Sequence, residues 1–306
     1  MGNFCDCCGI RNKEVSGLPE YGSGGNNDYG FAFARHDRAR MEDAVAIDES
    51  IAGHKCFAVF DGHGGDMAAK LAQKLLPQQL ETNLHKSKDK EQAAIDAFLA
   101  SDQEMQKELA NEARVFSTGT SSGTVACAAL LQDKELILLN LGDCRAVVCE
   151  AAKVADKTAD HSPDKNKEEK QRLVNLGVNI DGGYVDGQVQ VSRALGDVTK
   201  NGSKISGLIC RPEVTIVEVK DITEFVILAT DGIWDALQEQ TAVTTARKVL
   251  RETRSPEAAA QAVLQAAANV SKADNAALIV VALNIPEPPA KRDPNQRRLK
   301  FGSKSE

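Results

Sequence analysis

The chain has 306 residues, 42% hydrophobic and 26% charged, with a formal net charge of −7. That length suits one large domain or two modest ones, and the acidic balance argues against a nucleic-acid partner, because phosphate contacts need a basic surface. No apolar run reaches the ~20 residues of a membrane helix. The N-terminus has no apolar signal-peptide core, so a cytoplasmic location is expected.

Residues 1–27 are polar and Gly/Asn-rich and read as an extended arm. Strands are predicted at Tyr29–Ala34, Ala44–Ile47 and Cys56–Phe60, and a helix from about Asp66 to Leu84. A second helix is expected at about 91–114, with Ile95, Leu99 and Leu109 among its apolar positions. A turn-rich stretch at 116–124 leads into a strand at Val125–Leu131. Glu135–Leu141 and Arg145–Cys149 read as a hairpin around Gly142-Asp143, because the connection is short. The segment from about Val154 to Leu208 is charged and Gly-rich and reads as a flap inserted between strands. It holds one helix, for which Ser162 reads as cap, Pro163 as first position and Gly177 as stop. Strands at 214–219 and 224–229, helices at about 240–252 and from Ser255-Pro256 through Val270, and a strand at 277–283 complete a domain spanning 28–285. Residues 286–306 form a polar, partly basic tail. Strands outnumber helices and the helices come in pairs, which favours antiparallel sheets with helices outside.

The eight cysteines form no disulfide framework and no zinc spacing. Cys5, Cys7 and Cys8 crowd the N-terminus. Cys56, Cys127, Cys144, Cys149 and Cys210 fall mostly in strand-like runs, where cysteine behaves as a small hydrophobe.

One pattern recurs. Cys56–Phe60 runs into Asp61-Gly62-His63-Gly64-Gly65, Phe225–Thr230 into Asp231-Gly232, and Leu136–Leu141 into Gly142-Asp143, while Asp274-Asn275 directly precedes Ala276–Val281. A single Asp-Gly is ordinarily a polar turn. Four buried strands, each with a carboxylate at one end, predict carboxylates gathered at one rim. Such a rim repels itself unless something positive enters, and all-oxygen donors without thiolates favour Mg²⁺ or Mn²⁺. Two such ions activate water for attack on a phosphate ester. Arg38 beside Glu42-Asp43 can hold phosphoryl oxygens, and His63 beside Asp61 can protonate a leaving alkoxide.

The motifs Arg38-x-x-Met41-Glu42-Asp43, Phe60–Gly65, Ser122-Gly123-Thr124, Gly142-Asp143-Cys144-Arg145-Ala146, Asp160-His161-Ser162-Pro163, Val191–Asp197, Arg211-Pro212-Glu213, Thr230–Asp235 and Asp274-Asn275 occur in this order. As a set they resemble the metal-dependent serine/threonine protein phosphatases of the 2C (PPM) family. The resemblance implies an α+β fold, a four-layer αββα sandwich of two antiparallel sheets flanked by helix pairs. It implies that Asp61 bridges two metal ions, that the Gly62 carbonyl joins one, and that Asp231 and Asp274 bind the other. Glu42 and Asp43 are implied to hold water on the ions, Arg38 to bind substrate phosphate and His63 to act as acid. Asp143, with Asp231, matches acids linked to a weaker third ion. Cys144 stands where that family usually has Ser. His161 reads as fixing the flap, Trp234 as core, and Asp197 and Asp235 as supports behind the ligands or simple caps.

The resemblance further implies phosphorylated protein substrates, and a monomer is expected. A catalytically inactive scaffold protein is the alternative, favoured only if Asp61, Asp231 or Asp274 were lost. Met1-Gly2-Asn3-Phe4-Cys5-Asp6-Cys7-Cys8 resembles a myristoylation start at Gly2 followed by palmitoylation at Cys5 or its neighbours, with Asp6 in place of the preferred Ser or Thr. Two lipids would give stable peripheral membrane attachment. A nuclear address read from Lys291-Arg292 and Arg297-Arg298 is less favoured.

Overall fold

A computed structural model describes residues 20–115 and 120–287. Gly2, Cys5 and the basic pairs of the tail lie outside the described residues. The early strands are β1 (Tyr21–Gly25), β2 (Tyr29–Ala34), β3 (Ala44–Ile51) and β4 (His54–His63). Helices α1 (Met67–Lys86) and α2 (Lys90–Val115) follow, then β5 (Gly123–Gln132), β6 (Glu135–Leu141), β7 (Arg145–Glu150) and β8 (Lys153–Lys157). The flap carries α3 (Lys167–Asn175) and the short strands β9 (Ile180–Asp181), β10 (Tyr184–Val185) and β11 (Leu195–Gly196). The chain continues through β12 (Glu213–Glu218), β13 (Thr223–Ala229), α4 (Asp231–Trp234), α5 (Glu239–Thr253), α6 (Pro256–Ala268) and β14 (Ala276–Ala282).

Two six-stranded antiparallel sheets form. One has the order β1-β2-β14-β13-β7-β8; the other runs β12-β6-β5-β4-β3, with β11 added at the end of β5. Side chains alternate along each strand. Phe57 and Val59 of β4 therefore join Val226 and Leu228 of β13 and Ile279 of β14 between the sheets. Ala58 and Phe60 face outward onto Ala72 and Leu76 of α1 and Phe98 and Met105 of α2. On the far side Phe225, Ile227 and Leu278 meet Val243, Ala246 and Leu250 of α5 and Val263 and Leu264 of α6. These three cores make the four layers αββα that the motifs implied.

Several local expectations are corrected. Leu141 and Arg145 do not flank a hairpin: β6 pairs with β5 and β12, while β7 pairs with β13 and β8, so Gly142–Cys144 crosses from one sheet to the other. Tyr21–Gly25, read as arm, is an edge strand on β2. Strand β4 continues through Asp61 and His63, and the turn begins at Gly64. The flap begins after β8. Its helix is capped by Asn166, whose side chain accepts from the Glu168 and Glu169 amides; Ser162 and Pro163 belong to the preceding turn. Ser255 does cap α6, accepting from the Ala258 amide at 3.1 Å. Leu99 and Val270 are exposed, the latter beyond the end of α6.

Candidate active site

Strand parity aims the site. Val45 and Ile47 face the gap between the sheets, and so does Asp43, two residues before Val45. On β4 the same parity carries Phe57, Val59, Asp61 and His63. Val226 and Leu228 on β13 are followed by Thr230. The gap that is apolar in the middle of the sandwich therefore becomes acidic at this end. Asp43, 2% exposed, accepts a hydrogen bond from Thr230 Oγ1 at 2.8 Å, which ties the two sheets together beneath the cleft.

The carboxylates crowd one another. Asp61 and Asp231 share a hydrogen bond. Desolvation, then the charges of Asp231, Asp43 and Asp143, push the Asp61 carboxyl well above its usual range. Desolvation pushes Asp231 up to about 6, with Asp274 and Asp235 adding repulsion, and Asp143 up to about 7, with Asp231 and Asp160 adding repulsion. Burial also raises Asp43 and Glu42; Arg38 partly offsets the rise at Glu42. Among the described residues, no three His, Cys, Asp or Glu side chains already converge as ligands of one ion. Nevertheless, an oxygen-only set that resists its own charge fits a hard divalent cation.

Asp274 lies on the opposite lip. Arg38 Nη2 donates to its Oδ2 at 2.5 Å, Arg38 Nε donates to the Ala273 carbonyl at 3.0 Å, and His36 Nδ1 lies 2.9 Å from the Asp274 carbonyl. Asn275, next in sequence, is the bracket for this lip. Its Oδ1 accepts from the Glu42 amide at 2.8 Å and its Nδ2 donates to the Arg35 carbonyl at 2.8 Å. Gly232 lies against it so closely that an added Cβ would fall 1.9 Å from the Asn275 carbonyl oxygen. Gly232→Ala is therefore expected to destabilise the fold by about 1–3 kcal/mol and to disturb Asp231 and Asp274 together. Thermal unfolding and activity, measured on the same sample, check this.

His63 Nε2 is 2.8 Å from Asp197 Oδ1. Burial alone would lower the His63 pKa, but the Asp197 carboxylate outweighs it and the net shift is upward. Asp197 is 1% exposed, sits at φ +55°, and its Oδ2 has no partner among the described residues. Its carboxylate fills the place where a Cβ on Gly123 would stand, 2.3 Å away. Of the two readings the sequence leaves open for Asp197, support behind the site or simple cap, the hydrogen bond to His63 matches the first. The signal was its place in the Val191–Asp197 motif; its partner is 134 residues distant.

Asp143 stands on the crossing between the sheets, beside the flap root. The Gly142 amide donates to His161 Nδ1 at 3.1 Å, and the His161 amide donates back to the Gly142 carbonyl at 3.0 Å. His161 thus fixes the flap, as expected, and is buried away from the chemistry. Buried Glu169 binds Arg172, Arg193 and Ser192 and locks the flap's inner face. Trp234 is core: its Nε1 donates to the Ala229 carbonyl at 2.9 Å, and Arg145 lies over the ring. Cys144 is fully buried. In sum, the structure brings Glu42, Asp43, Asp61, Gly62, His63, Asp143, Asp231, Asp274 and Arg38 to one end of the sandwich.

The family model of protein phosphatase 2C matches residues 27–276. The chain is 33% identical over 298 residues to "Probable protein phosphatase 2C 22" of Arabidopsis thaliana, covering 92% of this chain and 73% of that protein. It is equally identical over the same length to "Probable protein phosphatase 2C 57" of Oryza sativa subsp. japonica, with 92% and 78% covered. A serine-threonine phosphatase 2C from Toxoplasma gondii superimposes with a TM-score of 0.67 at 23% identity, covering 87% of this chain and 100% of that one, which shows the shared fold. With the sandwich, the carboxylate cleft and these matches in agreement, the chain belongs to the protein phosphatase 2C family of serine/threonine phosphatases.

Proposed function

We propose that the protein hydrolyses phosphoserine and phosphothreonine in proteins, using two divalent cations, Mg²⁺ or Mn²⁺, at the carboxylate cleft. The observation that supports this is the crowding of Asp43, Asp61, Asp143 and Asp231, a repulsion that divalent cations would remove. Asp61, the Gly62 carbonyl, Asp231 and Asp274 would hold the ions, and Glu42 and Asp43 would order water around them. Bound ions supply Lewis-acid charge and lower the pKa of water toward neutrality.

The remaining chemistry belongs to the side chains. Arg38 is held at the lip through Nε and Nη2, and its other N–H groups can donate to phosphoryl oxygens. With Nε2 on Asp197, His63 offers Nδ1 to the leaving group. The proton passes from Nδ1 to the departing seryl or threonyl oxygen, and the Asp197 carboxylate stabilises the imidazolium before transfer. Asp197 acts through His63 as a positioning residue.

Turnover of p-nitrophenyl phosphate is expected with Mn²⁺, to vanish with chelator and to return when the ion is restored. No turnover at any Mn²⁺ or Mg²⁺ concentration would favour the inactive scaffold reading.

A stability measurement gives an independent check. Asp231 and Asp143 bind protons more tightly folded than unfolded. As pH rises from about 4 through their folded values of about 6 and about 7, the metal-free protein should therefore lose stability. His63, also raised, acts in the same direction; His161, lowered by burial and by Arg193, opposes it. The melting temperature without metal should be higher at pH 5 than at pH 7.5, and saturating Mg²⁺ should flatten or invert the difference.

A further inference from the structure

We propose that Lys165 is a tethered cation guarding the side of the cleft where Asp143 and Asp231 would take a weak additional divalent ion. The proposal rests on the divalent-cation reading of the cleft. Lys165 is placed by a tight turn at the flap root. Its amide donates to the Ser162 carbonyl at 3.0 Å. Asp160 Oδ1 accepts from the Ser162 amide at 2.8 Å and from its hydroxyl at 2.6 Å, and Asn166 Nδ2 closes the turn on the Asp160 carbonyl at 2.9 Å. The paired hydrogen bonds between His161 and Gly142 set this turn beside Asp143.

From there Lys165 Nζ reaches Asp160 Oδ2 at 3.3 Å and, across the cleft mouth, Asp235 Oδ1 at 3.8 Å. Asp235 caps α4, and its amide donates to the carbonyl of Asp231 at 2.8 Å. One ammonium thus bridges the flap root, which His161 ties to Gly142 beside Asp143, and the α4 segment that carries Asp231. An ordinary solvated ion pair would leave ion binding unaffected. A fixed positive charge at the mouth instead raises the free energy of an incoming cation and lowers the need for one.

The test uses the full chain, metal-free and without substrate. Mn²⁺ is titrated into wild type, Lys165→Gln, Lys165→Glu and Lys165→Arg, and free ion is read from its paramagnetic resonance signal. The side chain is 56% exposed, so the variants should fold, which thermal unfolding checks. The weakest bound Mn²⁺ is expected to bind about tenfold tighter in Lys165→Gln, the scale of one unit charge a few ångströms away in a solvated site. Lys165→Glu should tighten it further and Lys165→Arg should match wild type. The differences should shrink in 1 M salt. Identical isotherms for wild type and Lys165→Gln, or no order with side-chain charge, would overturn the role of Lys165 alone. A wild type that binds no Mn²⁺ would overturn this role together with the divalent-cation reading beneath it.

Discussion

Asp61→Asn should lower phosphopeptide turnover by about 10³-fold or more, the scale of several kcal/mol of ion-assisted catalysis. The same change should leave the metal-free protein as stable as wild type or more so. Asp61 sits among carboxylates that already favour its protonated form, and an amide can donate to Asp231 where the protonated carboxyl did. What disappears is a charge that is unfavourable without ions and needed with them. The Mg²⁺-induced rise in melting temperature should therefore fall together with turnover. A variant keeping a tenth of wild-type turnover would refute the assignment.

The second large effect is expected at His63. General acids typically contribute roughly 10²–10⁴-fold, so His63→Gln should slow a phosphoserine peptide by that much. It should slow p-nitrophenyl phosphate far less, because p-nitrophenolate leaves without a proton. Asp197→Asn keeps a hydrogen-bond partner for His63 and removes the charge behind it, for an expected loss of about 10–100-fold with the same substrate dependence. The double variant should be little worse than His63→Gln alone, since both act through one proton. Equal losses on the two substrates would reduce Asp197 to a structural support.

Much of this architecture could be read from residue order. Apolar runs leading to Asp61, Asp231 and Asp143 were legible because a strand buried on both faces leaves its carboxylate at the end, where the sandwich opens. The caps of α6 were legible because Ser255 and Pro256 act within one turn. The misreadings share a cause: the deciding contact lay far away in sequence. Tyr21–Gly25 looked like an arm because glycine and serine disfavour strands. It pairs nonetheless, since the Phe33 and Phe31 rings lie over Gly22 and Gly24, where a Cβ would meet them at 2.4 Å and 2.7 Å. The Gly142–Cys144 crossing looked like a hairpin because its length allows one, and the hydrogen bonds to His161 that hold it elsewhere come from 19 residues downstream. Ser162 looked like a helix cap because nothing local distinguishes it from Asn166. Lys165 carried no local pattern and Asp197 only its place in the Val191–Asp197 motif, as each acts on a partner set by the tertiary fold.

The pairing of β2 with β14, Tyr29 opposite Val281 and Ala34 opposite Ala276, bears on how the protein is born. Hairpins β3–β4 and β5–β6 can join soon after they leave the ribosome, because their partners are close in sequence. The seam that sets Arg38 against Asp274, 236 residues apart, must wait until Asp274 has emerged. Such distant closure is slow and comes late in folding. A nascent chain can thus pair β3–β4 and β5–β6 beneath α1 and α2 while the cleft stays open and incomplete, so the proposed active site cannot assemble before Asp274 and β14 have emerged.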